Sequence, residues 1–126
     1  MSKPTVAIVG ASSDREKYGN KSVRAHLNCG YEVFPVNPKG GEIEGLQVYK
    51  SLSDIPHRVQ RVSLYVSPEI GLGLLPQITA LGCDEVWFNP GTESDTVLSE
   101  ARRLGLEPIV GCSIVDLGER PEHFVA

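Results

Sequence analysis

The run TVAIVG, residues 5–10, is β-branched or small at every position. A run without polar alternation leaves no face for water, so it suits a strand buried on both sides of a parallel sheet. Four more strand-like runs follow: YEVFPV (31–36), RVSLYV (61–66), DEVWFN (84–89) and EPIVG (107–111). Helical stretches separate them. In residues 20–29 Asn20 reads as a cap, Val23 and Leu27 stand one turn apart, and Gly30 closes the helix. Ser67-Pro68 opens a second helix that runs to Leu81, with a kink or break expected near Pro76. Thr92 with Asp95 resembles a capping box for a third, which ends at Leu104-Gly105. Pro35 marks its strand as an end or irregular strand. Residues 37–50 read as a loop with a short strand at 46–49, and residues 52–55 as one helical turn. The tail from Cys112 reads as one turn near 114–117 followed by disordered ends. This alternation predicts right-handed βαβ units in a doubly wound parallel sheet, an α/β fold in three layers over a single domain, residues 1–126.

The chain has 126 residues, enough for one domain with a real core. Its 40% hydrophobic and 22% charged residues are those of a soluble globular protein. The sequence holds no apolar stretch of about 18 residues or more, and the first residues lead directly into a strand. The expectation is therefore a cytoplasmic protein with no membrane segment. Cys29, Cys83 and Cys112 are scattered and form no CxxC pair, so neither a metal site nor a disulfide framework is expected. The net charge of −4 argues against general nucleic-acid binding. Yet residues 1–39 hold six Lys/Arg against three acids, leaving −7 on the remainder. A solvated helix face accounts for Lys21 and Arg24, but Arg15, Lys17 and Lys39 fall in loops.

Open parallel sheets take ligands at the carboxyl ends of their strands. Here those ends are Gly10-Ala11-Ser12, Asn37-Pro38-Lys39, Val66-Ser67-Pro68, Asn89-Pro90-Gly91 and Gly111-Cys112. Turn chemistry alone explains Pro90-Gly91, but not the loop cations. Gly10 permits a tight turn, and small Ala11 and Ser12 permit close approach of an anion to backbone N–H groups at a helix start. Ser12 stands where a dinucleotide fingerprint has its second glycine. Lys39 stands where an NAD site has a carboxylate for the ribose, and it suits a phosphorylated ribose instead. NADP and coenzyme A both carry one.

Gly10-Ala11-Ser12, the Arg15-x-Lys17-Tyr18-Gly19 loop, Gly30-Tyr31 and Val36-Asn37-Pro38-Lys39 resemble the small stand-alone coenzyme A-binding proteins. These are similar to the amino-terminal domain of the succinyl-CoA synthetase alpha subunit. The resemblance continues through Val66-Ser67-Pro68, Asn89-Pro90-Gly91 and Gly111-Cys112. It implies a Rossmann-like fold with coenzyme A, or an acyl-CoA, across the strand tips. It places Gly10, Ala11, Ser12 and residues Arg15 to Gly19, including Lys17 and Tyr18, at the phosphates. Asn37, Pro38 and Lys39 fall at the phosphorylated adenosine end. Val66, Ser67 and Pro68 fall at the adenine or middle region, and Asn89, Pro90 and Gly91 near the pantetheine arm. The chain departs from the family's Cys-Pro pair, having Cys112-Ser113.

The ligase histidine belongs to a second domain in that family, and His26, His57 and His123 read as partly exposed surface residues. No catalytic residue is therefore expected, and the chain reads as a carrier, sensor or regulatory protein. The alternatives are an NADP-binding accessory module and the CoA-binding subunit of a multi-chain acyl-CoA ligase. Cys112 reads as a small buried hydrophobe rather than a redox thiol, and Trp87 and Phe88 as core. Protein partners and homodimerisation are left open.

Overall fold

The computed structural model describes residues 3–126. In chain order its elements are β1 (Thr5–Val9), α1 (Tyr18–Asn28), β2 (Glu32–Val36), β3 (Glu42–Ile43), β4 (Leu46–Gln47) and β5 (Val59–Leu64). Then come α2 (Pro68–Leu81), β6 (Cys83–Phe88), α3 (Asp95–Arg103), β7 (Pro108–Val110) and α4 (Ser113–Asp116). Single 3-10 turns span Leu52–Asp54 and Pro121–His123. The order across the main sheet is β2-β1-β5-β6-β7, and every pairing is parallel. β3 and β4 form a separate antiparallel hairpin.

β1 is flanked by a strand on each side, and its Val6–Val9 are buried, as their composition requires. Successive side chains of a strand point to opposite faces. Val6 and Ile8 pack with Val23 of α1 on one face. Ala7 and Val9 join the cluster of Leu75, Ile78, Phe88 and Val97 on the other, under α2 and α3. The sheet is thus the middle of three layers. Full burial of a side chain such as Phe88 contributes roughly 1.5–3 kcal/mol. Pro35 sits on the outer strand β2, where a missing N–H interrupts no ladder, and its carbonyl accepts from Tyr49 N at 2.8 Å.

Several local expectations are corrected. α1 begins at Tyr18, not Asn20, and its cap position Lys17 makes no side-chain cap. Asn20 lies inside the helix because its amide is engaged with the first loop instead. α2 runs unbroken through Pro76. The cap of α3 is Ser94, whose Oγ accepts from Val97 N at 3.2 Å, while Thr92 Oγ1 turns back to donate to Asn89 O at 2.8 Å. The tail is ordered: Arg24 donates to Val125 O at 2.7 Å and Phe124 O at 3.3 Å, with its guanidinium over the Phe124 ring.

His26 is fully buried rather than partly exposed. Its Nδ1 bonds Ser22 O at 2.8 Å, and Nε2 faces Arg61 at 3.5 Å. Burial holds the imidazole well below its usual range, at about 4, and the Arg61 charge pushes the same way. Arg61 itself is buried between the rings of Trp87 and Tyr31 and pairs with Asp116 at 2.7 Å and Glu85 at 3.3 Å. It thereby ties α4 to the sheet. Among the described residues no helix is long and apolar enough to cross a membrane.

Candidate functional site

A cavity of about 650 Å³ opens at the carboxyl ends of the strands. It lies where the chain leaves β1 for β2 on one side and β5 for β6 on the other, the topological switch point of the sheet. Two glycines make the site possible. Gly10 has φ +87°, and a Cβ there would stand 2.5 Å from Tyr65 O at the tip of β5. At Gly19 a Cβ would collide with Gly10 O, so its absence lets the start of α1 press against the first loop.

Gly10, Ala11 and Ser12 line the cavity with Lys17, Tyr18 and Gly19. Ser12 Oγ accepts from Asp14 N at 3.0 Å, and Asp14 Oδ1 accepts from Glu16 N at 3.0 Å, so the loop organises itself. The Ser12 hydroxyl proton stays available for a ligand. Arg15 stands outside the lining and pairs with Glu44 at 3.3 Å. Glu44 holds a left-handed backbone, φ 50°, at the tip of the β3–β4 hairpin.

From the tip of β2, Asn37 and Lys39 reach the cavity. Residues 37–40 form a turn closed by Gly40 N to Asn37 O at 3.0 Å, with asparagine first, proline second and glycine fourth as such turns favour. Pro38 shapes this turn and is not part of the lining. Lys39 N donates to Asn37 Oδ1 at 2.9 Å, and its side chain is exposed. Among the described residues neither Lys17 nor Lys39 pairs with a carboxylate. Two unpaired cations on one rim favour an anionic ligand.

Val66 and Ser67 line the wall from β5, whereas Pro68 lies outside it as the first residue of α2. Ser67 Oγ caps that helix, accepting from Ile70 N at 3.4 Å. Asn89, Pro90 and Gly91 line the far end with Cys112. The Asn89 amide is committed to the protein: Nδ2 donates to Ser63 Oγ at 2.8 Å and Leu64 O at 2.9 Å, and Oδ1 accepts from Ser113 N at 2.9 Å. It knits β5, β6 and α4 together behind the site.

Tyr65, Thr92 and Pro121 also line the cavity and were not foreseen as site residues. Tyr65 had a signal in its place just before Val66 at a strand tip. Its OH bonds Ser113 Oγ at 3.2 Å, and burial pushes its pKa up. Pro121 had none, since only the long-range fastening of the tail brings it there. Cys112 is half-buried in this lining rather than packed in the core. Cys83, by contrast, is pushed up to about 11 by burial.

The loop N–H groups, the glycine cradle and the free lysines fit a phosphate-bearing ligand such as coenzyme A. A family described as CoA binding domain matches residues 4–118. The chain is 40% identical over 139 aligned positions to the alpha subunit of ADP-forming acetate–CoA ligase I from Pyrococcus furiosus, covering 97% of this chain. It spans only 30% of that subunit. Among solved structures, a conserved hypothetical protein from Pyrococcus furiosus superposes with TM-score 0.81 at 34% identity, covering 91% of this chain and 99% of that one. The dinucleotide-forming acetyl-coenzyme A synthetase 1 of Ca. Korarchaeum cryptofilum, in complex with phosphate and ADP, gives TM-score 0.72 at 27% identity. That match covers 83% of this chain and 25% of the synthetase chain. With this Rossmann-like architecture and a family match over nearly its whole length, the chain belongs to the CoA-binding domain family.

Proposed function

We propose that the cavity binds coenzyme A or an acyl-coenzyme A, and that the chain acts as a carrier, sensor or regulatory protein without catalytic residues of its own. The observation that carries this reading is the convergence of the first loop, Lys17 and Lys39 on one cavity at the switch point. Lys39 takes the 3′-phosphate, Lys17 and the first loop take the pyrophosphate, and the pantetheine arm runs toward Asn89–Gly91 and Cys112. The lining offers lysines, hydroxyls and backbone amides, groups that hold a phosphate.

Calorimetric titration of Lys39→Ala tests the assignment. Affinity for coenzyme A falls about tenfold or more, as for the loss of a charge-assisted contact, while dephospho-coenzyme A is little affected. Equal weakening of both ligands removes Lys39 from the 3′-phosphate. A second reading, the CoA-binding subunit of a multi-chain acyl-CoA ligase, is favoured by the 40% identity to a ligase alpha subunit. Co-purification with a nucleotide-binding ligase subunit supports it.

A further inference from the structure

Two carbonyls of the first loop are held by asparagine side chains. Asn37 Nδ2 donates to Ala11 O at 2.8 Å, and Asn20 Nδ2 donates to Ser12 O at 2.9 Å. The oxygens of both amides are engaged too. Asn37 Oδ1 accepts from Lys39 N at 2.9 Å, and Asn20 Oδ1 from Arg24 Nε at 2.7 Å. Asn20 is fully buried although it sits within α1. In a planar trans peptide the C=O and the following N–H point to opposite sides. Fixing the Ala11 and Ser12 carbonyls therefore sends the N–H groups of Ser12 and Ser13 the other way. The N–H groups of Gly10 and Ala11 are both spent on Val36 O, at 3.1 and 3.3 Å. Those of Ser12 and Ser13 meet no protein acceptor among the described residues.

We propose that Asn20 and Asn37 are positioning residues for the ligand's pyrophosphate: they fix two consecutive peptides so that Ser12 N–H and Ser13 N–H donate to phosphate oxygens. A side-chain amide meets both demands at each position, its nitrogen donating to a carbonyl while its oxygen accepts from an N–H. Aspartate has the same shape but only accepts, so it repels the carbonyl and releases the peptide. The proposal rests on the coenzyme A reading above.

The test is a titration of the full, 15N-labelled chain with coenzyme A. In the unaltered protein the Ser12 and Ser13 amide protons move downfield at saturation. Asn20→Asp abolishes the shift at Ser13 and Asn37→Asp that at Ser12, each weakening coenzyme A about tenfold or more. Adenosine 3′-monophosphate, which has no pyrophosphate, keeps its affinity for Asn20→Asp; loss of that affinity as well means mere structural damage and overturns the proposal. Should the variants fail to fold, the unaltered protein decides alone. Coenzyme A binding with the Ser12 and Ser13 amides unmoved overturns the proposal and leaves the functional reading intact. A failure to bind coenzyme A overturns both.

Discussion

Gly19 does not adopt a left-handed backbone, so its necessity comes from space alone. Any side chain there meets the Gly10 carbonyl, and the atoms it meets are backbone, which yields little. Gly19→Ala is expected to lower stability by about 1–3 kcal/mol in thermal or denaturant melts and to weaken ligand binding by displacing the first loop. An unchanged melt removes the close approach from the account. His26 gives a second prediction at this scale. Its folded pKa, about 4, lies below the ordinary value of 6.5, so the unfolded chain binds the proton more readily. Stability is complete above pH 6.5, falls as pH drops, and levels off near pH 4. The loss approaches about 3 kcal/mol. His26→Gln is expected to flatten the unfolding free energy across that window, against the background of Asp116 and Glu85 facing Arg61. A variant with the wild-type slope refutes the assignment.

Among the elements, one side chain of α1 bridges the first loop and the tail. Arg24 donates to Arg15 O at 2.8 Å in the first loop, and to Phe124 and Val125 carbonyls in the tail. Arg24→Ala is expected to speed amide exchange at His123 and Phe124, whose N–H groups bond Arg120 O and Pro121 O, about tenfold or more while β1 and β5 keep their protection. Equal exchange in both proteins shows the tail to be held otherwise. This fastening also explains what the sequence hid. The strands were legible because continuous apolar runs bounded by turn residues have few alternatives. Caps were less so: Thr92 and Ser94 both offer a hydroxyl near the start of α3, and only the reach of Thr92 to Asn89 O decides between them. Asn20 looked like a cap because its partners, Ser12 O, Glu44 and Arg24, are set by the packing of loop and hairpin on the helix. The burial of His26 is hidden because nothing local shows that Arg61 and Tyr31 pack against its ring.

At the scale of the molecule, the strand order places the first loop, the Asn37–Gly40 turn and the β5 tip around one crevice. Gly10, Ser12, Lys17 and Lys39 could be read from the sequence because strand tips and loop cations are visible there. The pairing of Arg15 with Glu44 could not, since β3 and β4 are two-residue strands with little sequence signature. A ligand that binds only the folded state raises the melting temperature, by linkage. Saturating coenzyme A is therefore expected to raise it in the unaltered protein and less so in Lys39→Ala. An equal rise in both refutes a role for Lys39 in binding. The central claim is that this crevice is built for coenzyme A rather than for another nucleotide with a phosphorylated ribose. Parallel calorimetric titrations of the unaltered protein with coenzyme A and NADP test it most directly. Coenzyme A is expected to bind more tightly than NADP; tighter binding of NADP contradicts the coenzyme A assignment.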